Sequence, residues 1–317
     1  MAECARLLVT GAAGFIGSAL IARLVTEPHW MVVASVRTRG KPFAPDVDVV
    51  SVGSIDGTTN WSVPLQGTHA VVHTAAVAHI RKVHTAEQLA WLRRVNVDGT
   101  LALARQAAAA GVKRFVFISS IGVNGNANIR PYTAQDPAQP VEPYAQSKWE
   151  AEQGLWRVQQ ETGMEVVSIR PPLVYGPNAP GNFSSLVRWI GQGIPLPLGA
   201  VHNRRSLVGI DNLVDLIVRC VDHPSAANNV FLAGDGRALS TSELLRLVGE
   251  AMEKPARLIP VPAAALQLGA TLLGRKAMGQ RLLGSLQVDI SHTCETLDWQ
   301  PPFTVEEGLR RCFSPLG

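Results

Sequence analysis

Cysteine is scarce in this chain of 317 residues, and the four present, Cys4, Cys220, Cys294 and Cys312, stand too far apart for a CxxC pair or a disulfide framework. A reducing compartment is the simpler expectation. A surplus of one charge is also missing: 29 basic residues face 25 acidic ones, and the basic residues are scattered, with no run that would call for nucleic acid. A small polyanion is ligand enough for that balance. Long apolar runs are lacking too. The nearest approach, residues 258–274, is interrupted by Pro260, Pro262, Gln267, Gly269 and Thr271 and falls short of the roughly 18 uninterrupted apolar residues of a spanning helix. It reads as a helix of a smaller domain or, with Arg275 and Lys276 following, as one that touches a membrane surface, but not as an integral membrane segment. From Met1 the sequence runs almost at once into a strand, with no basic n-region, apolar h-region and small-residue cleavage site, so a cytoplasmic protein is expected. There is no internal repeat. His73, His79 and His84 have no carboxylate or thiol cluster beside them, so no metal site is expected.

What is there is a packed globule, with hydrophobic residues at 46% and charged ones at 17%. Its length predicts a large domain with a smaller one appended. Short β-branched runs at 7–10, 31–36, 47–52, 70–74, 114–119 and 166–170 are almost continuously apolar, as strands covered on both faces are. Helical patterns at 18–26, 87–110 and 144–162 lie between them, and Gly111 ends the second. The alternation predicts an α/β fold built on a doubly wound parallel sheet. After Arg170 the pattern breaks into Pro171, Pro172, Gly176, Pro177, Pro180 and Gly181. This divides the chain into residues 1–170 and a mainly separate 171–317, while a late strand at 230–232 leaves room for the stretch around 205–235 to return to the first domain.

The first strand runs into Thr10-Gly11-Ala12-Ala13-Gly14-Phe15-Ile16-Gly17, a glycine-rich turn that opens directly into a helix. Such a turn lets backbone N–H groups approach a pyrophosphate at the positive helix end, so Gly11, Ala13, Gly14, Phe15 and Ile16 are candidate ligands of a dinucleotide in a Rossmann-type domain. The second strand ends in Ser35-Val36-Arg37, without the acid that would hold ribose hydroxyls and repel a 2′-phosphate. Arg37 and Arg39 can pair with such a phosphate, so NADP is favoured slightly over NAD. Ser54, Ile55 and the Asp56 that follows them fall where an adenine edge would lie, although Asp56 could equally cap the next helix.

Tyr144 and Lys148 lie four residues apart in Tyr-Ala-Gln-Ser-Lys, so a helix from Pro143 presents both on one face. An ammonium near a phenol stabilises the phenolate, which would draw the tyrosine toward acid–base work at neutral pH. The strand Phe115-Val116-Phe117-Ile118 ends in Ser119-Ser120 at the carboxyl edge of the sheet, where a hydroxyl can steady a carbonyl or alkoxide oxygen. In the second half, Arg204 and Arg205 precede an apolar run, and guanidinium groups suit a diphosphate because they bind oxygens in pairs.

The spacings Gly11-x-x-Gly14-x-x-Gly17 and Tyr144-x-x-x-Lys148 belong to a larger set. With Ser119-Ser120, Asn96-Val97-Asp98-Gly99-Thr100, Arg170-Pro171-Pro172-Leu173-Val174-Tyr175-Gly176-Pro177 and Leu297-Asp298-Trp299-Gln300-Pro301, the chain resembles the extended short-chain dehydrogenase/reductase family over nearly its whole length. The resemblance implies an NAD(P)-dependent oxidoreductase with Ser120 orienting a carbonyl, Tyr144 as acid–base residue and Lys148 as its partner and ribose ligand. It further implies Thr74, Ala75 and Ala76 beside the cofactor, Pro171 and Val174 near the nicotinamide, and Arg205 and Asn182 at a substrate diphosphate. His79 and Arg81, just past the fourth strand, would border a sugar. Two departures stand out: Asn124-Gly125 replaces the Tyr-Gly common in the family's sugar epimerases, and the acid after the second strand is missing.

Both departures favour a reductase that exchanges its cofactor. The segments 119–125, 195–199 and 203–207 look most similar to bacterial O-antigen enzymes that reduce UDP-2-acetamido-2,6-dideoxy-4-hexuloses. The expected activity is therefore 4-keto reduction of a UDP-linked 4-keto-6-deoxy-N-acetylhexosamine. A UDP-N-acetylhexosamine 4-epimerase is the alternative, and a non-catalytic dinucleotide sensor a third reading. By family likeness, the helices at 87–110 and 144–162 would pair in a homodimer.

Overall fold

A computed structural model describes residues 4–38, 40, 42–78, 85–272, 274 and 276–314. The apolar runs form β1 (Ala5–Thr10), β2 (Trp30–Val36), β3 (Asp48–Ser51), β4 (Thr68–His73), β5 (Arg114–Ile118) and β6 (Glu165–Arg170), followed by β7 (Leu173–Tyr175), β8 (Arg205–Gly209), β9 (Asn229–Leu232) and β10 (Ala238–Leu239). Seven of them make one sheet in the order β3-β2-β1-β4-β5-β6-β9, and every pair in it is parallel. This is the doubly wound α/β fold expected from the alternation. The order reverses between β1 and β4, which opens a crevice above their carboxyl ends. β10, β8 and β7 form a second, three-stranded sheet.

Every residue of β5 is buried, because helices cover both faces of the large sheet. Leu20, Leu24, Ile217 and Phe231 belong to the core on one face, while Leu103, Phe115, Leu155 and Val166 belong to the other. A third core, with Phe183, Leu198, Leu245 and Leu309, lies against the small sheet.

Two helices differ from the sequence expectation in an informative way. The first starts at Phe15 rather than Ser18, because Gly14 is already its extended N-cap residue. The single helix expected over 87–110 is instead Ala86–Arg93, a π-helical stretch at Arg94–Gly99, and Thr100–Ala109. The wider turn aims buried Asn96 inward: it accepts from Val77 N at 2.8 Å and donates to Val77 O at 3.1 Å and Ser147 Oγ at 3.0 Å. It also brings Gly99 so close to Ile55 that a Cβ there would lie 2.6 Å from Ile55 Cγ2. Gly111, at φ +80°, closes the helix as expected.

The helix Pro143–Thr162 is fixed to the sheet by a buried ion pair between Glu152 and Arg170, 0% and 4% exposed at their side chains. Ser168 Oγ donates to Glu152 Oε1 at 2.9 Å, and Arg170 Nη1 donates to Asn124 Oδ1 at 3.0 Å, so both charges are hydrogen-bonded on several sides. Packing and ion pair together set the helix on β6 and fix the height of its first turn.

Candidate active site

The carboxyl ends of β1, β4, β5 and β6 meet at one cavity of about 580 Å³. Its walls at one end are Gly14, Phe15, Ile16, Thr74 and Ala76. The turn before them is drawn tight, with Gly14 N donating to Gly11 O at 2.8 Å and Gly11 at φ +68°. A Cβ on Gly11 would stand 2.7 Å from Ala75 N, and one on Gly17 would stand 2.3 Å from Gly11 O. Side chains are thus excluded from the turn. The helix that follows has no side-chain cap, which leaves first-turn N–H groups to bind an anion. Buried Ser35 Oγ and Ser119 Oγ have no hydrogen-bond partner among the described residues. A backbone cradle, an uncapped positive helix end and orphaned hydroxyls fit a dinucleotide.

The floor of this cradle is held by β4 and its neighbours. Thr74 Oγ1 donates to Thr10 O at 2.7 Å, and Asn96 pins the chain at Val77. Buried His73 bridges Thr10 Oγ1 at 2.6 Å and Thr100 Oγ1 at 2.9 Å. Burial first, and Lys148 second, pull its pKa to about 3, so the ring is neutral and structural at ordinary pH.

Tyr144 and Lys148 stand on the first turns of the helix Pro143–Thr162 and line the same cavity as Ser120. Lys148 is buried and donates to Ile118 O at 2.7 Å. Its Nζ lies 4.4 Å from the Phe117 ring centroid and 6.0 Å from that of Tyr144. The expected softening of the phenol by the ammonium is not what the protein alone provides. Burial pushes Tyr144 up to about 12 and pulls Lys148 down to about 7, with Glu152 drawing the lysine the other way. Desolvation is the governing cause at both groups. Ser120 Oγ accepts from Gly122 N at 3.1 Å, which leaves its hydroxyl proton to donate into the cavity.

The lysine shift has a measurable consequence. Unfolded, Lys148 holds its proton to its ordinary 10.5; folded, it releases it near 7. Between those values the unfolded chain binds more protons, so this group adds stability as pH rises from 7 and imposes its full desolvation cost below 7. The melting temperature of the cofactor-free protein is expected to gain more from pH 7 to pH 9 than that of Lys148→Met. Equal gains in calorimetry at about those two pH values would remove the assignment.

Pro171 and Val174 also line the cavity, as do Asn182, at the start of the helix Asn182–Gly191, and Arg205, at the start of β8. Arg205 donates to Gly284 O at 3.1 Å, whereas exposed Arg204 is not on the wall. Gly11, Ala13, Arg37, Ser54, Ile55 and Ala75 are not among the wall residues. Gly11 and Ala75 instead shape the turn behind it. Exposed Arg37 follows β2, and Ile55 packs on Gly99 beyond β3, toward the far side of the crevice. Asp56 does not cap the next helix, which begins at Ser62 behind Trp61; it closes a local turn instead, accepting from Thr58 N at 2.8 Å and Thr58 Oγ1 at 2.7 Å, which lowers its pKa. His79, Arg81, His84 and Arg39 lie outside the described residues.

Sequence reasoning missed the residues that complete the wall: Asn126, Glu142, Leu186, Thr241, Leu244, Leu282 and Leu286. Leu186, Leu244 and Leu282 come from helices and Leu286 from a bridge beside Arg205, and none of them carried a motif. Asn96 did sit in a recognised segment, but its role needed the π turn to be visible.

The sequence profile described as the NAD dependent epimerase/dehydratase family matches residues 7–234. The chain belongs to that family. This epimerase/dehydratase-family chain is 46% identical over 308 residues to a UDP-glucose 4-epimerase of Vibrio cholerae, covering 96% of the chain and 93% of the relative. It is 25% identical to the N-acetyl-α-D-glucosaminyl-diphospho-ditrans,octacis-undecaprenol 4-epimerase of Escherichia coli O157:H7, over 96% and 93% of the two chains. Among solved structures, the UDP-glucose 4-epimerase of Thermotoga maritima with UDP-glucose superposes with a TM-score of 0.78 at 23% identity, covering 97% of each chain. As a family member the protein is an enzyme that works with a nicotinamide dinucleotide. No described helix is long and apolar enough to cross a membrane.

Proposed function

We propose that the protein is an NAD(P)H-dependent 4-ketoreductase of a UDP-linked 4-keto-6-deoxy-N-acetylhexosamine. The observation that carries this reading is the meeting of Ser120, Tyr144 and Lys148 at one cavity with a dinucleotide cradle, in a sheet whose β2 runs into exposed Arg37 rather than an acid. A dinucleotide bound in the cradle supplies the hydride. Ser120 steadies the C4 oxygen, and Tyr144, protonated at neutral pH, donates the proton to it. Lys148 orients the tyrosine side of the site from its anchor on Ile118.

Arg205 and Asn182 are assigned to the diphosphate. Arg205→Ala is expected to raise KM for the UDP-sugar by about 10- to 100-fold with little change in kcat, since charge-assisted bonds of this kind are worth about 1.5–3 kcal/mol. An unchanged KM in initial-rate measurements would move the diphosphate elsewhere.

A second reading, 4-epimerisation of a UDP-hexose, is favoured by the name of the 46% identical Vibrio cholerae relative. The two readings differ in electron balance. The reductase consumes one NAD(P)H for each 4-keto-sugar reduced, with NADPH preferred because Arg37 replaces an acid after β2. The epimerase interconverts UDP-hexoses with no net consumption. Incubating the purified protein with the 4-keto-sugar and each reduced nicotinamide, and with UDP-N-acetylglucosamine, separates them. Epimerisation without stoichiometric oxidation of cofactor would reject the reductase. A cytoplasmic homodimer is part of the proposal: Arg93 and Glu150 already tie the two candidate pairing helices together, and light scattering reads the assembly.

A further inference from the structure

The helix Ala263–Leu272 is strongly apolar in sequence, yet none of its residues is buried. Leu268 is 62% exposed and Leu272 78%, and at a spacing of four they share one face with Ala264 and Ala265, which are also exposed. The opposite face is engaged. Leu266 packs on the third core, and a Cβ added to Gly279 of the helix Lys276–Leu283 would lie 2.9 Å from the Ala270 Cβ. The outward leucines are therefore held outward by packing. The sequence around them is one-sided in charge: Lys254, Arg257, Arg275, Lys276 and Arg281 fall between residues 254 and 288, and no acidic residue does. That stretch alone exceeds the net charge of +4 of the whole chain. The same segment reaches the catalytic cavity, where Leu282 and Leu286 form part of the wall.

We infer that this helix pair is a membrane-surface contact, resting its leucine face in the headgroup region of a bilayer rich in anionic lipid and thereby setting the mouth of the cavity at the membrane. An exposed apolar helix face within a stretch of sequence whose charges are all basic is the combination that binds such a surface without spanning it. A second copy of the chain is the poorer occupant, because a symmetric contact through this segment would set a stretch of sequence with only basic charges against the same stretch of its partner. The inference does not depend on which sugar reaction the enzyme performs, and its test reads no turnover.

The full-length protein is mixed at low salt with vesicles of phosphatidylethanolamine and phosphatidylglycerol, or of phosphatidylcholine alone, and sedimented. The fraction bound to the anionic vesicles is expected to exceed that on neutral ones by about tenfold or more and to fall as salt is raised. Leu268→Glu with Leu272→Glu abolishes sedimentation while the melting temperature holds, since both side chains are exposed. Arg275→Gln with Lys276→Gln weakens it by about fivefold for each cation removed. Absence of binding to anionic vesicles overturns the inference, as does undiminished binding by the leucine variant. So does light scattering in which the leucine variant, without vesicles, dissociates an oligomer of the wild-type chain.

Discussion

Tyr144→Phe is expected to lower kcat by about 10²- to 10⁴-fold, the usual worth of a positioned general acid, while dinucleotide binding stays near the wild-type level. Only the phenolic oxygen is removed, and no hydrogen bond of the fold described above runs through it. The ring still fills its place beside the Lys148 ammonium, so the cavity keeps its shape. Binding rests instead on the glycine turn and the uncapped helix after it, neither of which touches this oxygen. The measurement is a pair: single-turnover rates for the chemistry and nicotinamide fluorescence for the cofactor. Full turnover by the variant would reject Tyr144 as the acid, whereas loss of cofactor binding would show that its hydroxyl holds the dinucleotide rather than the substrate proton.

Glu152→Ala is expected to destabilise the protein by about 3–5 kcal/mol, because it leaves a buried guanidinium without its counter-charge. Arg170 is 4% exposed at its side chain and spends two of its nitrogens on Glu152, and Ser168 loses its acceptor at the same stroke. The control is Glu152→Met combined with Arg170→Met, which removes both charges. This pair should recover most of the lost stability, since two apolar side chains of similar length need no partner. Urea unfolding of the three proteins reads the difference directly. A single variant as stable as the wild type would mean that water reaches Arg170.

The turn at Gly11, Gly14 and Gly17 and the Tyr144–Lys148 spacing were legible in the sequence because each is a short-range demand on backbone or helix geometry. The parallel sheet was legible for a similar reason: strands buried on both faces have no polar alternation to hide them. What could not be read were features settled by distant contacts. The π stretch at Arg94–Gly99 exists because Asn96 finds Val77 and Ser147, neither of which is near it in sequence. The shifts of Tyr144 and Lys148 went opposite to the simple ion-pair expectation because the amount of water excluded at that spot is a property of the packed cavity. The leucine wall had no signature at all, since a leucine facing a ligand and one facing a core look alike in a string of letters.

The last strand of the large sheet, β9, arrives only after the chain has left for the small sheet and come back. During synthesis, β6 therefore waits with a bare hydrogen-bonding edge while some sixty further residues, from Arg170 to Leu232, leave the ribosome. A chain stopped at Arg170 keeps the glycine turn and the tyrosine–lysine pair but offers that edge to any neighbour. Fragments cut there should aggregate, and fusions or split versions of this enzyme belong beyond Leu232 rather than at the proline-rich break that the sequence advertises.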